Sequence, residues 1–428
     1  MEAGFGLIIV FTLIMLRVPV GVAMLVVGIG GFAMLTSWRP AAFMTAQTAH
    51  ALVNNYGLSV IPLFLLMGNL INRARIGNEL YDAAHAMVGH MRGGLSQATI
   101  LACGGFAAIS GSSMATTASM ARVAYPSMRR YGYADILSAG SIAAGGTLGI
   151  LIPPSVVLLV YGILTETSIS KLFIAGIVPG LIAVGLYMLT ILVVTRIRPA
   201  WGPPGERASW GERGRALAKV WPVIALFVIV MGGIYGGIFT PTEAAGIGAF
   251  GAFLFALARG ALSWNGLVET LVETAVTSAM IFFVIMGALV LGNFLNMAGL
   301  PRMLGGFVRG LDLSPFWILM IICGIYILLG MVLESMSMIL LTIPIIFPVI
   351  VSLGIDPVWF GILIVMVVEI ALISPPIGLN VYMLRSVLPH IGLRTLFAGV
   401  LIFLVPDIVK LILVIAFPGI VLFLPSLM

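Results

Sequence analysis

Long apolar runs, separated by short polar or proline-containing stretches, fill the chain from end to end. Divided at charges and prolines, they predict membrane crossings near 3–16, 19–36, 52–71, 135–164 and 172–195, then near 218–238, 241–258, 275–297, 357–383 and 396–424. Apolar runs of this length, with frequent Pro and Gly breaks, fit helices rather than barrel strands. The pattern therefore predicts an all-α polytopic membrane protein.

The composition supports a lipid environment. Of the 428 residues, 61% are hydrophobic and 8% are charged, whereas a soluble domain carries about 25% charged residues. A surface this poor in charge suits lipid better than water. No Walker motif and no hydrolytic constellation of side chains is found, which disfavours an ATP-driven pump, an enzyme and a bound organic cofactor.

The basic residues predict the topology. If the linker after residue 195 is cytoplasmic, sixteen basic residues fall on the inner side: Arg17, Arg73, Arg75, Arg92, Arg122, Arg129, Arg130, Arg196, Arg198, Arg207, Arg213, Arg215, Lys219, Arg259, Arg385 and Arg394. Four fall outside: Arg39, Lys171, Arg302 and Arg309. This asymmetry follows the positive-inside rule and places both termini opposite the linker.

Two apolar stretches, 95–128 and 313–351, have polar or broken midpoints. The first contains "SGSSMATTASM" at 110–120 and the second contains "GMVLESMSM" at 330–338. Irregular backbone is tolerated at membrane depth only where protein or a water-filled cavity surrounds it. We therefore expect two re-entrant helical hairpins whose tips lie inside the protein.

The two halves of the chain look like copies. A shift of 222 residues superimposes four prolines, among them Pro153 on Pro375 and Pro154 on Pro376, and also Ser113 on Ser335. Because the termini face the compartment opposite the linker, each half has an odd number of crossings and the copies are antiparallel. We expect two inverted repeats of about five crossings and one hairpin each, at 1–195 and 218–428, joined by a basic cytoplasmic linker at 196–217.

Each hairpin is followed by a double-proline break, at about 145–155 and 369–380. Proline removes an N–H donor and frees a carbonyl one turn earlier, so each break exposes backbone oxygens. Carbonyl and hydroxyl oxygens suit a cation such as Na⁺, and helix N-termini suit a carboxylate. The tips and breaks together predict a binding site at the membrane midplane.

Some of these residues have plainer explanations. The hydroxyls of Thr117 and Ser119 are expected to hydrogen-bond to the backbone of their own helix. Ser112 and Ser113 recur in kind as Ser335 and Ser337, and this recurrence favours a functional role for them. An alternative role for Glu334 or Glu369 is to bind a proton instead of supporting Na⁺ binding. Asp407 and Lys410 stand one helical turn apart and are expected to form an ion pair.

Three stretches carry a resemblance to a known family: "GSSMATTASM", "MRRYGYADILSAGSIAAGGTLGILIPPS" and "SPPIGLNVY". They resemble signature stretches of the large membrane subunit of TRAP transporters, the tripartite ATP-independent periplasmic transporters, and the likeness extends over essentially the whole chain. It implies an elevator-type, Na⁺-driven importer of organic acids in the bacterial cytoplasmic membrane. Its implied partners are a periplasmic substrate-binding protein and a small four-helix membrane subunit.

The resemblance also implies site residues. The expected sodium ligands are Ser112, Ser113, Gly145, Gly149 and Pro153 for the first site, and Glu334, Ser335, Glu369, Ser374 and Pro375 for the second. The expected substrate contacts are Ser112, Ser113, Thr116, Pro154, Ser155, Ser337, Pro376 and Asn380. Two positions depart from the family pattern, because Glu334 stands where Asp is expected and Ser374 where Thr is common. Both keep an oxygen ligand and change the size of the site.

Two other functions remain open from the sequence. The first is a self-sufficient Na⁺ or H⁺ symporter for organic anions that needs no binding protein. The second is a membrane scaffold that transports nothing. The scaffold fits poorly, because a scaffold has no need for paired hairpins with unsatisfied backbone groups.

Overall fold

The computed structural model describes residues 2–74 and 76–428, and over these residues the chain is helical with no β-strand. Arg75, one of the basic residues assigned to the inner side, lies outside the described residues. The helices of the first half are α1 Glu2–Met15, α2 Val20–Leu35, α3 Trp38–Val53, α4 Val60–Arg73, α5 Ile76–Val88, α6 Gly94–Ser110, α7 Ser113–Arg130, α8 Asp135–Leu151, α9 Val156–Thr165 and α10 Ile169–Ile197.

The second half follows a connection, residues 198–209, whose one short helical turn is the 3₁₀ helix Pro199–Trp201. Its helices are α11 Trp210–Tyr235, α12 Pro241–Ala258, α13 Trp264–Met297, α14 Leu300–Gly310, α15 Pro315–Gly330, α16 Ser335–Ser352, α17 Pro357–Ile373, α18 Leu379–Val387, α19 Leu393–Ala416 and α20 Gly419–Leu422.

Seven helical segments within the described ranges are long and apolar enough to cross a membrane. They are Asp135–Thr165, Ile169–Ile197, Trp210–Tyr235, Pro241–Ala258, Trp264–Met297, Ser335–Ser352 and Leu393–Ala416. A further pair, Trp38–Val53 with Tyr56–Arg73, would pass as one span bent by 58°. The all-helical, polytopic class expected from the sequence is confirmed.

The structure also differs from the sequence expectation in its shorter helices. α3, α5 and α14 were not predicted, and α13 begins about ten residues earlier than its apolar run. α3 mixes polar and apolar residues and buries only Ala41 among its described residues. A helix whose residues mostly remain exposed lacks the continuous apolar run by which spans were recognised.

Capping residues set several helix starts. Ser209 with Glu212 and Thr240 with Glu243 form capping boxes at the starts of α11 and α12, and Pro241 occupies the first turn of α12. Each box satisfies backbone N–H groups that a helix start leaves without partners. The first box thus starts α11 at Trp210, within the stretch 196–217 that the sequence assigns to the linker.

The centre of the molecule is formed by α8 and α17. Every residue from Leu137 to Leu151 and from Phe360 to Ile373 is buried. α6, α7, α10 and α19 pack around this pair, while α2 packs on α13 and α4 packs on α12. The outer helices carry many exposed apolar side chains, such as Trp221, Phe250 and Leu254, as expected of a surface that faces lipid.

Both halves contain a helical hairpin followed by a broken helix. α6 and α7 meet at Gly111 and Ser112, where Gly111 has a φ of +59°. α15 and α16 meet at residues 331–334, the break after α8 covers 152–155, and the break after α17 covers 374–378. The peptide bonds Pro153–Pro154 and Pro375–Pro376 are cis. The inverted repeat and the re-entrant placement in the membrane stay predictions.

A candidate ion and substrate site between two hairpin tips

The two hairpin tips share one cavity of about 400 Å³. The first hairpin lines it with Gly111, Ser112, Ser113 and Met114, and the second with Glu334, Ser335, Met336, Ser337 and Leu340. The remaining lining comes from the segment around the first break, from α4 and from α13: Leu65, Ile150, Val156, Val157, Thr277, Met280, Ile281 and Val284. The cavity is therefore apolar on its flanks and oxygen-rich at the two tips.

The first tip is organised by a neutral helix cap. Ser112 caps α7, and its Oγ accepts a hydrogen bond from the Ala115 N–H at 3.4 Å. The Ser112 carbonyl accepts from the Thr116 hydroxyl at 2.8 Å, which fixes the turn. Ser113 is 3% exposed, and its hydroxyl makes no hydrogen bond to any described residue. That hydroxyl lines the cavity and is free to bind a ligand.

The second tip is organised by a charged cap. The Glu334 carboxylate accepts from the N–H groups of Met336 at 3.0 Å and Ser337 at 3.2 Å, and from the Ser335 hydroxyl at 2.8 Å. A carboxylate at a helix N-terminus is stabilised by the dipole as well as by these bonds. The shift of 222 residues places Ser112 on Glu334. The same N-cap position is therefore a neutral serine in the first hairpin and a carboxylate in the second.

The first tip lies directly against α8 and the first break. A Cβ atom placed on Gly149 would lie 2.5 Å from the Ser112 carbonyl oxygen, and one placed on Gly111 would lie 2.8 Å from the Pro154 carbonyl oxygen. Only a residue without a side chain allows such an approach. The first hairpin tip therefore packs directly against α8 and the first break.

The second hairpin also approaches its broken helix closely, but here the glycine belongs to the hairpin and not to the broken helix. A Cβ atom placed on Gly330 would lie 2.6 Å from the Ala371 Cβ atom of α17. Ala371 occupies the position that matches Gly149 under the shift of 222 residues. Ser374, in the break itself, donates its hydroxyl to the Ile370 carbonyl at 2.6 Å.

Some of the predicted site residues line the shared cavity, and others lie outside its lining. Five side chains line the shared cavity, namely Ser112, Ser113, Glu334, Ser335 and Ser337. The predicted residues outside its lining are Thr116, Gly145, Gly149, Pro153, Pro154, Ser155, Glu369, Ser374, Pro375, Pro376 and Asn380. Within that group, Gly149 and Pro154 contact the first tip through the approaches described above.

Local contacts explain why several of these side chains turn away from the cavity. The Ser155 hydroxyl caps α9 and donates to the Ile150 carbonyl at 2.6 Å, and Thr116 bonds within its own hairpin. Gly145 faces the sulfur of Cys103. Asn380 is fully buried, and neither atom of its amide has a hydrogen-bond partner among the described residues.

Glu369 belongs to a separate polar region. Its Oε2 atom accepts from Lys410 Nζ at 2.7 Å, and Lys410 also bonds to Asp407 Oδ1 at 3.0 Å. The expected Asp407–Lys410 pair is thus confirmed. Tyr187 of α10 also joins the cluster, because its hydroxyl donates a hydrogen bond of 2.6 Å to Asp407 Oδ1, and no sequence pattern indicates this contact. The sequence also does not identify Thr277 and Met280 of α13 as cavity residues, because a helix face that lines a cavity has the same residue pattern as one that faces lipid.

An all-helical bundle with exposed apolar outer helices and a cavity between two hairpin tips fits a membrane transport protein. Sequence comparison gives the family. The model of the "Tripartite ATP-independent periplasmic transporter, DctM component" matches residues 7–420, and the chain belongs to this family.

Several relatives are similar to this chain over most of their length. The chain is 39% identical to the C4-dicarboxylate TRAP transporter large permease protein DctM of Pseudomonas aeruginosa, with 87% of each chain covered. It is 34% identical to the sialic acid TRAP transporter large permease protein SiaM of Vibrio cholerae, covering 96% of this chain and 95% of that one. It is 32% identical to the ectoine TRAP transporter large permease protein TeaC of Halomonas elongata, with 97% of each covered.

A solved structure shares the fold. The YdaH transporter of Alcanivorax borkumensis, described as having an unusual topology, superimposes with a TM-score of 0.69 over 90% of each chain at 14% sequence identity. At that identity the likeness concerns the fold alone. The family membership makes this chain the large permease of a tripartite, binding-protein-dependent transporter of the bacterial inner membrane, which works with a small membrane subunit and a periplasmic binding protein.

Proposed function

We propose that this permease imports a small organic acid, coupled to Na⁺, through the cavity between the hairpin tips. The relatives named above act on C4-dicarboxylates, sialic acid and ectoine, two of which are acids by name. The observation that carries the proposal is that α7 and α16 both begin at serines on the wall of one cavity. Helix N-termini attract anions. The N-terminus of α7 has the neutral cap Ser112, whereas that of α16 is already capped by the Glu334 carboxylate, so the substrate carboxylate is expected at the start of α7.

The proposed sodium ligands form two sets, one at each hairpin tip, next to the proposed site for the substrate carboxylate. At the first tip they are the hydroxyls of Ser112 and Ser113 with backbone oxygens of the Gly145–Pro153 segment. At the second tip they are Glu334 and Ser335 with oxygens of Ser374 and Pro375. Glu369 is left out of this set, because Lys410 already bonds to its carboxylate. Ser337, which lines the cavity, is assigned to the substrate.

Uptake by the reconstituted transporter tests the coupling. The permease, its small subunit and its binding protein are placed in liposomes, and uptake of candidate acids is measured against Na⁺ at fixed pH. Saturable dependence on Na⁺, and no uptake by the permease alone, are expected. Equal uptake driven by a pH gradient without Na⁺ would refute sodium coupling, and substantial uptake by the permease alone would favour the self-sufficient symporter.

We further propose an elevator movement, in which α8, α17 and the hairpins move together past α11, α12 and α13. The burial of every residue from Leu137 to Leu151 in α8 and from Phe360 to Ile373 in α17 supports a rigid moving core. A bifunctional reagent joining cysteines introduced at Met114 of the hairpin and Met280 of α13 should arrest uptake, and cleavage of the link should restore it. Uptake that continues through the intact link would exclude relative sliding at this wall.

The proposed topology places residues 196–217 in the cytoplasm and both termini in the periplasm, from the distribution of basic residues. A cysteine introduced at Ser209 should resist a membrane-impermeant thiol reagent in intact cells and react after lysis. Rapid labelling in intact cells would reverse the assignment.

A further inference from the structure

A cluster of three ionisable side chains lies in the core, apart from the cavity between the tips. Glu369 of α17 and Asp407 and Lys410 of α19 are each 0% exposed. Lys410 Nζ lies 2.7 Å from Glu369 Oε2 and 3.0 Å from Asp407 Oδ1, so one ammonium group bridges two carboxylates on neighbouring helices.

The formal charges of this cluster do not cancel. With both acids ionised, two anions face one cation and leave one negative charge sealed in the protein. Tyr187 of α10 donates to Asp407 at 2.6 Å, and Thr147 of α8 lies 3.4 Å from the Tyr187 oxygen, but both are neutral. Among the described residues, the charged groups that act on Glu369 are only Lys410 and Asp407. An uncompensated buried charge costs several kcal/mol or more, so such groups usually become neutral.

Two acceptor atoms of the cluster are unused. Glu369 Oε1 and Asp407 Oδ2 are buried and have no hydrogen-bond partner in the described part of the chain. Both acids contact the same ammonium nitrogen, so the two carboxyl groups are close neighbours. Paired carboxylates in one site commonly hold a single proton between them, because the second negative charge is then removed.

We propose that the Glu369–Asp407–Lys410 cluster is a proton-binding site that holds one proton on the carboxylate pair. The proton comes from water and forms an O–H bond with one of the two unused oxygens, after which one carboxylate balances one ammonium. This site is distinct from the proposed sodium sites, because its three side chains bond to one another and none of them is among the proposed sodium ligands. The core of the permease is then electrically neutral.

A proton fits this place better than a metal ion. A sodium or calcium ion needs several oxygen ligands around it, and only two unused side-chain oxygens are available in the cluster within the described residues. The ammonium of Lys410 already occupies the position between the carboxylates and would repel a second cation.

Infrared spectroscopy of the complete transporter in lipid nanodiscs tests the site. A protonated carboxyl group has a C=O stretching band that ionised carboxylates lack, and the band shifts in D₂O. At neutral pH the wild type should show this band, and Glu369→Gln and Asp407→Asn should each lose it, because one remaining carboxylate already balances Lys410. Glu269→Gln, at an exposed carboxylate paired with Arg73, is the matched control and should keep the band.

Two results would overturn the proposal. The first is a wild type without an acid C=O band in neutral buffer, which requires no variant to fold. The second is a band that disappears when K⁺ is replaced by Na⁺, since a metal ion would then displace the proton. A band that persists in both salts and disappears in both carboxamide variants supports the proposal, whether or not uptake proves to be sodium-coupled.

Discussion

Two polar regions lie within this apolar chain, and they differ in how their oxygens are satisfied. At the hairpin tips, hydroxyls and one carboxylate line a cavity of about 400 Å³, and the Ser113 hydroxyl has no partner among the described residues. In the core cluster, Glu369 and Asp407 are fully buried and bonded to Lys410. The tips therefore have room for an outside ligand, whereas the core cluster carries its own cation.

The difference shows that burial of charge does not by itself mark a transport site. Glu334 and Glu369 looked equivalent in the sequence, as acids beside the second tip and the second break. In the structure Glu334 caps α16 at the cavity wall, and Glu369 pairs with a lysine 41 residues away. An acid beside a cavity can exchange ions with solvent, while an acid sealed against an ammonium stabilises the fold around it.

The largest effect is expected at the sealed cluster. Lys410→Met leaves the remaining negative charge of the buried carboxyl pair without its cation, and breaking a buried ion pair from one side costs about 3–5 kcal/mol. We expect poor recovery of folded permease and a much lower thermal unfolding midpoint in detergent. Lys171→Met, at an exposed lysine, is the control and should leave the midpoint unchanged. A Lys410→Met protein as stable as the control would show that the cluster does not stabilise the core.

The next effect is expected where the first tip meets α8. Gly149→Ala places a methyl group 2.5 Å from the Ser112 carbonyl oxygen, which must move away. Overpacking of this kind costs about 1–3 kcal/mol and displaces the tip, so uptake should fall. Gly185→Ala is the matched control, since no described atom lies within 4 Å of its Cβ position. Normal uptake by Gly149→Ala would mean that the tip does not need this approach.

A smaller effect separates the two helix caps. Ser112→Ala removes one acceptor at 3.4 Å, whereas Glu334→Ala removes a carboxylate that accepts from two N–H groups and a hydroxyl. Loss of an N-cap costs about 0.5–2 kcal/mol, so we expect Ser112→Ala near the lower limit and Glu334→Ala near the upper one. Thermal unfolding of both, beside Glu334→Gln as the variant that keeps an acceptor, measures the order. The reverse order would contradict the geometry of the caps.

The sequence predicts local features of this molecule better than distant ones. Proline pairs and hydroxyl-rich turns at fixed separations predict the tips and breaks, because those signals lie within a few residues. Asp407 and Lys410 could be paired from helical spacing, but Glu369 and Tyr187 join them only through packing of α10, α17 and α19. In the same way, no pattern distinguishes Thr277 and Met280, which line the cavity, from residues of α13 that face lipid.

The central claim, that the hairpin tips bind Na⁺, is tested most directly by sodium binding to the purified permease. Removing a buried, charge-linked hydroxyl costs about 1–3 kcal/mol, and about 1.4 kcal/mol is a factor of ten in affinity. Equilibrium binding of radioactive Na⁺ should therefore require roughly 5- to 150-fold more Na⁺ in Ser113→Ala and in Ser335→Ala, with the thermal unfolding midpoint unchanged. Sodium binding that is identical in the wild type and in the variant lacking both hydroxyls would contradict the account.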